Sequence, residues 1–272
     1  MLLLAGLLVS LALGQMARAS EPLWQLTLQG SGEEQQDVKS KDSALLLQFS
    51  AAPPSPWQWG YQHHYRVLRL ANDQDAGADS NGHLHQTGPW LRYQQPHWQL
   101  RLAPQLAVSS NLLRHPNHLQ GGDAQLHGHW LHQRGALHWG LAADSRLGRY
   151  LPYPLLRWQH QQGGLTWELG LPDNTLRWQP NRHWQWQLSL APDGGQWQVR
   201  DGQLERRSRL RQQRWRLGPS LDWQPLPAIT LTLGADYLFA QRLQYQLDNG
   251  EQIHHRPGTS HRLWLALQVT GH

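Results

Sequence analysis

The sequence has no cysteine, so neither a disulfide framework nor a thiolate metal site is available to the fold. Beyond its first twenty residues it also has no apolar run of about 18 residues, which excludes membrane-spanning helices. Phenylalanine is rare, with 2 residues against 16 tryptophans. Because Trp is apolar at one end and polar at the other, this excess is typical of a membrane–water interface.

The N-terminal segment is typical of a secretion signal. Residues 2–13 form an apolar core, and residues 17–19 (Ala-Arg-Ala) match the cleavage pattern of a signal peptide. The formal net charge is +5, but the basic residues are spread along the exported chain. We therefore expect a cleaved signal peptide at 1–19, one exported domain at 20–272 and no nucleic-acid partner.

Apolar and polar residues alternate along much of the chain. The clearest segments are residues 165–171, 184–191, 229–239 and 263–269. Successive side chains of a strand point to opposite faces, so each segment has one apolar and one polar face. The best segments are about 9–11 residues long, which is the length that crosses a bilayer in a tilted strand.

The connections between these segments alternate between short and long. Short ones lie at 50–56, 95–96, 133–134, 161–162, 180–182 and 224–227. Long polar ones lie at 30–42, 71–87, 109–123, 144–153 and 240–258. Some short ones join an aromatic residue and a Gln to a Pro-containing turn: Tyr93–Trp98, Trp178–Trp184 and Trp223–Ile229. Short periplasmic turns, an aromatic girdle beside them and long outer loops are typical of outer-membrane barrels.

The pattern predicts an all-β fold, an antiparallel transmembrane up-and-down β-barrel of about fourteen strands. The count is about twelve if the weak segments 23–29 and 175–179 are not strands. The other strands are expected at 43–49, 57–70, 89–94, 97–108, 124–132, 135–143, 154–160, 164–171, 183–200, 207–223, 228–239 and 259–269. Segments 183–200 and 207–223 exceed the membrane thickness, so we expect them to form a hairpin that projects outward.

The middle of the chain carries turn and strand signatures of one family. They are 150–156 (Tyr-Leu-Pro-Tyr-Pro-Leu-Leu), 169–172 (Leu-Gly-Leu-Pro), 176–180 (Leu-Arg-Trp-Gln-Pro) and 191–201 (Ala-Pro-Asp-Gly-Gly-Gln-Trp-Gln-Val-Arg-Asp). Through them the chain resembles a family of proteobacterial outer-membrane β-barrel proteins of unknown function. The resemblance implies the barrel fold and an outer-membrane location, and it supplies no catalytic residues.

Three histidines fall on the polar side of the hairpin around 133–134. They are His127, His129 and His138. A two-residue turn places His129 directly opposite His138, with Cβ atoms about 5 Å apart. Three imidazoles in this arrangement predict a Zn²⁺ or Cu²⁺ site. The alternative is that they are ordinary polar residues of a wet lumen.

Arginines crowd into the segment that ends at residue 216. They are Arg207, Arg209, Arg211, Arg214 and Arg216. Arg214 and Arg216 flank Trp215 and belong to the opposite face, so we expect them to line a pore that favours anions. The alternatives are a solvated charged face and, near the outer rim, arginines that pair with lipid phosphates.

The sequence carries no enzyme signature that we recognise. It has no G-x-S-x-G nucleophile elbow. Asp73, Asp75 and Asp79 have the spacing of a Ca²⁺ loop but lack its other ligands. We therefore expect no catalytic residues and no cofactor.

Taken together, these features predict a porin-like channel for small polar solutes, with anions favoured by the arginines. The alternatives are a surface-exposed structural or adhesion barrel and a soluble periplasmic β-rich protein that binds carbohydrate or lipid. The expected location is the outer membrane of a Gram-negative bacterium. The expected partners are outer-membrane lipid, lipopolysaccharide, the barrel-assembly machinery and periplasmic chaperones.

The long loops 71–87, 109–123 and 240–258 should face the outside of the cell, because the short turns mark the periplasmic end. Epitope tags inserted there should bind antibody on intact cells. Labelling that requires a broken outer membrane would contradict this topology.

Overall fold

The computed structural model describes residues 24–34, 38–50, 55–70, 81–112, 122–132, 135–200, 207–247 and 249–271. The predicted signal peptide lies outside these residues, as do Asp73, Asp75 and Asp79. Within the described residues, no helix is long and apolar enough to cross a membrane.

The described chain consists of seventeen strands and one short 3-10 turn, Ser110–Leu112. The strands are β1 (Trp24–Glu34), β2 (Val38–Ser50), β3 (Trp57–Leu70), β4 (Asn81–Gln94), β5 (Trp98–Pro104), β6 (Leu106–Ser109), β7 (Gly122–His132), β8 (Gly135–Asp144), β9 (Leu151–Gln162), β10 (Leu165–Leu171), β11 (Asn174–Asn181), β12 (Trp184–Pro192), β13 (Gly195–Arg200), β14 (Arg207–Leu226), β15 (Ile229–Leu247), β16 (Gln252–His255) and β17 (Ser260–Gly271). All of them belong to one sheet.

Fourteen of the described strands form a closed ring of antiparallel neighbours. The ring follows chain order and leaves out β6, β13 and β16. It closes where β1 pairs with β17, from Trp24 opposite Gly271 to Glu34 opposite His261. Closure leaves no open sheet edge in the wall. A sheet inside a bilayer needs this, because lipid offers no hydrogen-bond partners to unpaired backbone groups. The predicted barrel and its strand count of fourteen are confirmed.

The outward faces of the ring form an apolar belt. Leu141, Leu171 and Leu263 are each more than half exposed, and the other exposed Leu and Trp side chains lie on the same faces of their strands. A soluble protein does not expose a continuous surface of this kind, whereas lipid covers it in a membrane barrel. The alternative of a soluble periplasmic protein is therefore wrong.

Aromatic pairs cover the outer surface beside the short turns. The rings of Trp57 and Tyr93 lie 4.6 Å apart between their centroids. Trp184 and Trp223, which are opposite each other on β12 and β14, stack with centroids 5.8 Å apart. These pairs flank the turns whose motifs predicted an aromatic girdle, and they mark one membrane interface.

Two long strands bend away from the wall at the long-loop end. β6 continues β5 after Pro104 and stays in register with β4. β13 continues β12 after Asp193 and stays in register with β14. The two continuations pair with each other in parallel at Val108 and Gln198. β13 therefore crosses the mouth of the barrel and does not project freely outward as we expected, because pairing with β6 satisfies its free edge.

An apolar plug fills the compartment that this crossing encloses. Its buried members are Leu68, Leu84, Ala107, Trp197, Leu210, Leu243 and Tyr245. They come from β3, β4, β6, β13, β14 and β15, so the plug ties together strands from both sides of the mouth.

A bulge in β15 brings its outer half into the plug. The register of β14 and β15 jumps from Trp215 opposite Phe239 to Gln213 opposite Arg242, and Ala240 has a positive φ of 51°. The one extra residue in β15 exchanges the two faces of the strand. Even-numbered Leu238 points inward before the bulge, and odd-numbered Leu243 does so after it.

Several of the predicted long connections are shorter than expected. Most of 30–42 belongs to the hairpin of β1 and β2, and β15 and β16 occupy much of 240–258. The ends of β1 and β2 that fall in 30–42 are mostly polar on both faces, which hides the strand pattern. The outer half of β15 alternates polar residues with Leu243 and Tyr245, which enter the plug. β4 also begins at Asn81, within the predicted loop 71–87, and β9 begins at Leu151, within 144–153. The short turns predicted at 95–96, 161–162, 180–182 and 224–227 lie close to where the strands end.

Leu233→Arg should impair barrel assembly far more than Thr232→Arg. Leu233 is 59% exposed on the lipid side, where an Arg near the midplane costs about 2–4 kcal/mol. Thr232 points inward, with its hydroxyl donating to Asp222 at 2.7 Å, so an Arg there meets water and a carboxylate. Heat-modifiable gel migration measures the folded fraction, and equal losses would show that the faces are misassigned.

Candidate functional site

A cluster of buried charged side chains lies directly beneath the apolar plug. We call it the ion cluster: Glu33, Asp42, Arg66, Asp193, Arg214, Asp236 and Arg262. Its members come from both ends of the sequence and from β1, β2, β3, β14, β15 and β17. The barrel therefore fills one side of its lumen with paired charges.

Arg214 is the most deeply buried member. Its side chain is 0% exposed, and Nη1 lies 2.6 Å from Oε2 of Glu33. Its Nη2 lies 3.0 Å from Oδ2 of Asp193. Glu33 also accepts hydrogen bonds from the hydroxyls of Ser40 and Ser260. A buried charge is tolerated when its partners satisfy it in this way.

Asp193 connects all three guanidinium groups. Besides Arg214, its carboxylate is 2.7 Å from Nη1 of Arg262 and 3.7 Å from Nη2 of Arg66. Asp193 stands where β12 ends and β13 begins, and its backbone N–H donates to the carbonyl of Arg214 at 2.9 Å. The residue at which the strand bends across the mouth is thus also the centre of the ion cluster.

The remaining arginines each hold a further carboxylate. Arg66 donates to Asp42 through Nε at 2.6 Å and Nη2 at 3.1 Å. Arg262 donates to Asp236 through Nε at 3.0 Å and Nη2 at 2.6 Å. These two-point contacts restrict the orientation of each guanidinium plane.

Arg66 joins the ion cluster to the plug. Its guanidinium lies 5.6 Å from the ring centroid of Trp197, and Nη1 donates to Gln212 beside the plug. The cation and the aromatic face attract each other, and more strongly where water is excluded. The plug and the ion cluster therefore close the same side of the lumen as one unit.

The opposite side of the lumen retains a polar cavity of about 360 Å³. Arg157, Arg177 and Arg216 line it together with Gln187 and Ser189. Their strands, β9, β11, β12 and β14, keep their apolar residues outward, so alternation turns these polar side chains inward.

Carboxylates compensate part of the charge in the polar cavity. Glu168 lies 3.2 Å from Arg157 and 2.8 Å from Arg177. Asp173 lies 3.0 Å from Arg146 and 3.4 Å from Arg157. Arg216 forms no ion pair with any described carboxylate, and it also lines a second cavity of about 160 Å³ beside Asp42 and His64.

Two further arginines point into the lumen from β4 and β5. Arg92 and Arg101 are opposite each other, and their guanidinium groups lie 5.5 and 5.6 Å from the ring centroid of Trp90. Arg92 donates to Gln58 at 3.1 Å and Arg101 to Gln62 at 2.9 Å. Sequence reasoning missed these two and Arg157 and Arg177, although each is flanked by outward Leu or Trp residues that place it inward.

The predicted arginine row divides into different environments. Arg214 belongs to the ion cluster, and Arg216 lines the polar cavity. Arg209 and Arg211 lie on the outer half of β14, on the face that carries Trp215, beyond the apolar belt. The side chain of Arg207 lies outside the described part of the chain. Because the face that carries Trp215 lies outside the lumen, a pore-lining role stays a prediction for Arg216 and not for Arg209 and Arg211.

The predicted histidine hairpin has the expected register. His129 is opposite His138 in the ladder of β7 and β8. The side chains of His127 and His129 are outside the described residues, and Nε2 of His138 lies 2.9 Å from Oε1 of Gln159. Among the described side chains, no three His, Cys, Asp or Glu converge on a possible metal position. The metal site stays a prediction.

Comparison with known proteins finds distant likenesses among solved structures. The sequence matches no family model and no curated protein. An outer membrane channel from Pseudomonas putida F1 is 10% identical, with 94% of this chain and 97% of that chain covered and a TM-score of 0.44. The KdgM porin in complex with disordered oligogalacturonate is 8% identical, with 90% and 99% covered and a TM-score of 0.40. The NanC porin is 10% identical, with 90% and 98% covered and a TM-score of 0.40. At this distance, solute and site have to be argued from the residues themselves.

Arg214→Gln should lower the free energy of unfolding by about 3–5 kcal/mol, because Glu33 and Asp193 lose a buried partner. Arg216→Gln is the matched control, since it removes the same group from the same face of β14 without breaking a described ion pair. Urea unfolding in detergent micelles, followed by Trp fluorescence, measures both. Equal losses in the two variants would contradict the structural role of the ion cluster.

Proposed function

We propose that the protein is an outer-membrane channel for small polar solutes, with a preference for anions. It is exported by the signal peptide and inserted by the barrel-assembly machinery. The observation that carries the proposal is the position of Arg216. This arginine stands in water-accessible space between two lumen cavities and forms no ion pair with a described carboxylate. Asp193 lines both cavities and offsets part of its charge, but that carboxylate is shared with Arg66, Arg214 and Arg262.

The passage would run along the inner faces of β9 to β12. The plug and the ion cluster occupy the side of the lumen that faces β1 to β3 and β15 to β17. The opposite side has polar walls and includes the short strands β10 and β11. A solute that crosses the barrel therefore meets Arg157, Arg177 and Arg216.

The charge along this passage favours anions. Arg146, Arg157, Arg177 and Arg216 line the polar cavity, where Glu168, Asp173 and Asp193 offset part of their charge. Arg92 and Arg101 add positive charge on the neighbouring wall. Positive groups in a narrow space with low-dielectric walls raise the local concentration of anions.

A structural or adhesive barrel is the second candidate, and the plug favours it. An apolar core and paired charges stabilise the outer end of the wall without contributing to passage. In that case the long loops carry the function. Conductance separates the two candidates.

Purified protein in a planar bilayer should conduct. Under a salt gradient, the reversal potential should have the sign that indicates anion selectivity. Arg216→Gln should lower the anion-to-cation permeability ratio about twofold, since a unit charge at about 8 Å in water is worth about 0.5 kcal/mol. The effect should fade near 1 M salt, where the Debye length is about 3 Å.

Arg182→Gln is the matched control for this experiment. Arg182 lies in the short turn between β11 and β12, outside the lumen cavities, and its replacement removes the same charge. It should leave the reversal potential nearly unchanged. A folded protein that never conducts would favour the structural barrel, and a cation preference would contradict the role of the lumen arginines.

A further inference from the structure

A second group of arginines lies outside the lumen, at the outer end of β14, β15 and β16. Arg149, Arg211, Arg242 and Arg256 line a cavity of about 510 Å³ together with His254. Among the described residues that line this cavity, none is Asp or Glu. We call it the rim cavity.

The strand register shows which surface the rim cavity belongs to. Arg211 and Gln213 lie on the same face of β14 as Trp215, and Gln213 is opposite Arg242. The preceding pair of the ladder, Trp215 and Phe239, belongs to the lipid-facing surface. The bulge at Ala240 keeps Arg242 on that surface by exchanging the faces of β15. The rim cavity therefore begins one pair beyond the end of the aromatic belt.

The height of the rim cavity matches the headgroup layer. With a rise of about 3.3 Å per residue and a tilt of about 40°, Arg242 lies about 5 Å beyond the level of Trp215 and Arg211 about 10 Å beyond it. The interfacial layer adds about 5–7 Å to each side of the hydrocarbon core. The neighbouring wall is also low here, because β10 ends at Leu171, a lipid-exposed residue.

The charge of the rim cavity is not balanced by described residues. None of its four arginines forms an ion pair with a described carboxylate. Burial, together with the like charges of Arg209 and Arg149, lowers the pKa of the Arg211 guanidinium. Arg211 donates to Gln196 at 3.3 Å, which fixes its position without neutralising it. Guanidinium groups gathered in this way attract an anion, because no described carboxylate offsets their charge.

We propose that the rim cavity binds a phosphate group carried by the headgroup of an outer-leaflet lipid. Arginine matches phosphate oxygens through two parallel N–H donors, and several arginines together favour a doubly charged phosphate monoester. Leu147 and Leu151 also line the rim cavity and offer apolar contacts beside its arginines. The proposal does not depend on conduction through the lumen.

Native mass spectrometry of the folded protein tests this site. The protein is incubated in detergent micelles with equal amounts of phosphatidic acid and phosphatidylcholine that carry the same acyl chains. Phosphatidic acid adducts should predominate at least about fivefold, since each basic residue near an anionic headgroup contributes about that factor. Equal retention of the two lipids would overturn the proposal.

The variants locate the site. Arg242→Gln should reduce phosphatidic acid adducts about fivefold, and Arg211→Gln with Arg242→Gln should abolish the preference. Arg182→Gln, which removes one charge at the short-turn end, should keep it. Heat-modifiable migration confirms folding, and Arg242→Gln alone decides if the double variant does not fold. A preference that survives Arg242→Gln in full would overturn the proposal.

Competition with inorganic phosphate distinguishes a phosphate group carried by a lipid from a free phosphate ion. Adducts that survive excess inorganic phosphate, at an ionic strength matched with chloride, support a lipid-borne ligand. Complete displacement by inorganic phosphate would assign the cavity to a free anion and overturn the assignment to lipid.

Discussion

The outer half of the barrel depends on the carboxylate of Asp193. Three arginines from three strands converge on it, and none of them has bulk water to replace this partner. Asp193 directly follows the last residue of β12. The strand therefore bends at the same place where the charges of the three arginines are neutralised. Gly194 follows it, and a Cβ there would collide with the carbonyl oxygens of Arg146 and Gln212. Charge pairing and backbone path therefore constrain each other at this point.

The two faces of β14 show how one strand serves several environments. Its lumen face carries Leu210 in the plug, Arg214 in the ion cluster and Arg216 in water. Its outer face changes from Trp215 to Arg211 within four residues, where the surface leaves the lipid. The row of arginines is thus a row in sequence but not in space. The face of the strand on which an arginine lies, together with its position along the barrel axis, decides what that arginine contacts.

The sequence predicted the ring of strands, its faces and most turns, because these follow from alternation and local turn chemistry. It did not predict the ion cluster, since Glu33 and Arg214 are 181 residues apart and Asp42 lies in a polar stretch assigned to a loop. Arg157 and Arg177 were readable from their Leu and Trp neighbours. The pairing of β6 with β13 was not, because one residue pair far apart in sequence carries no local signal.

The parallel contact of Val108 with Gln198 imposes an order on folding. The two residues belong to strands whose own hairpin partners are close in sequence, whereas closing the mouth brings together segments separated by the strands β7 to β12. Closing a longer loop costs more chain entropy, and non-local contacts form slowly. We therefore expect the compartment to close late, after β14 has paired with β12. Until then, the indole of Trp197 and its apolar neighbours are open to solvent, and a chaperone that covers them would act in this interval.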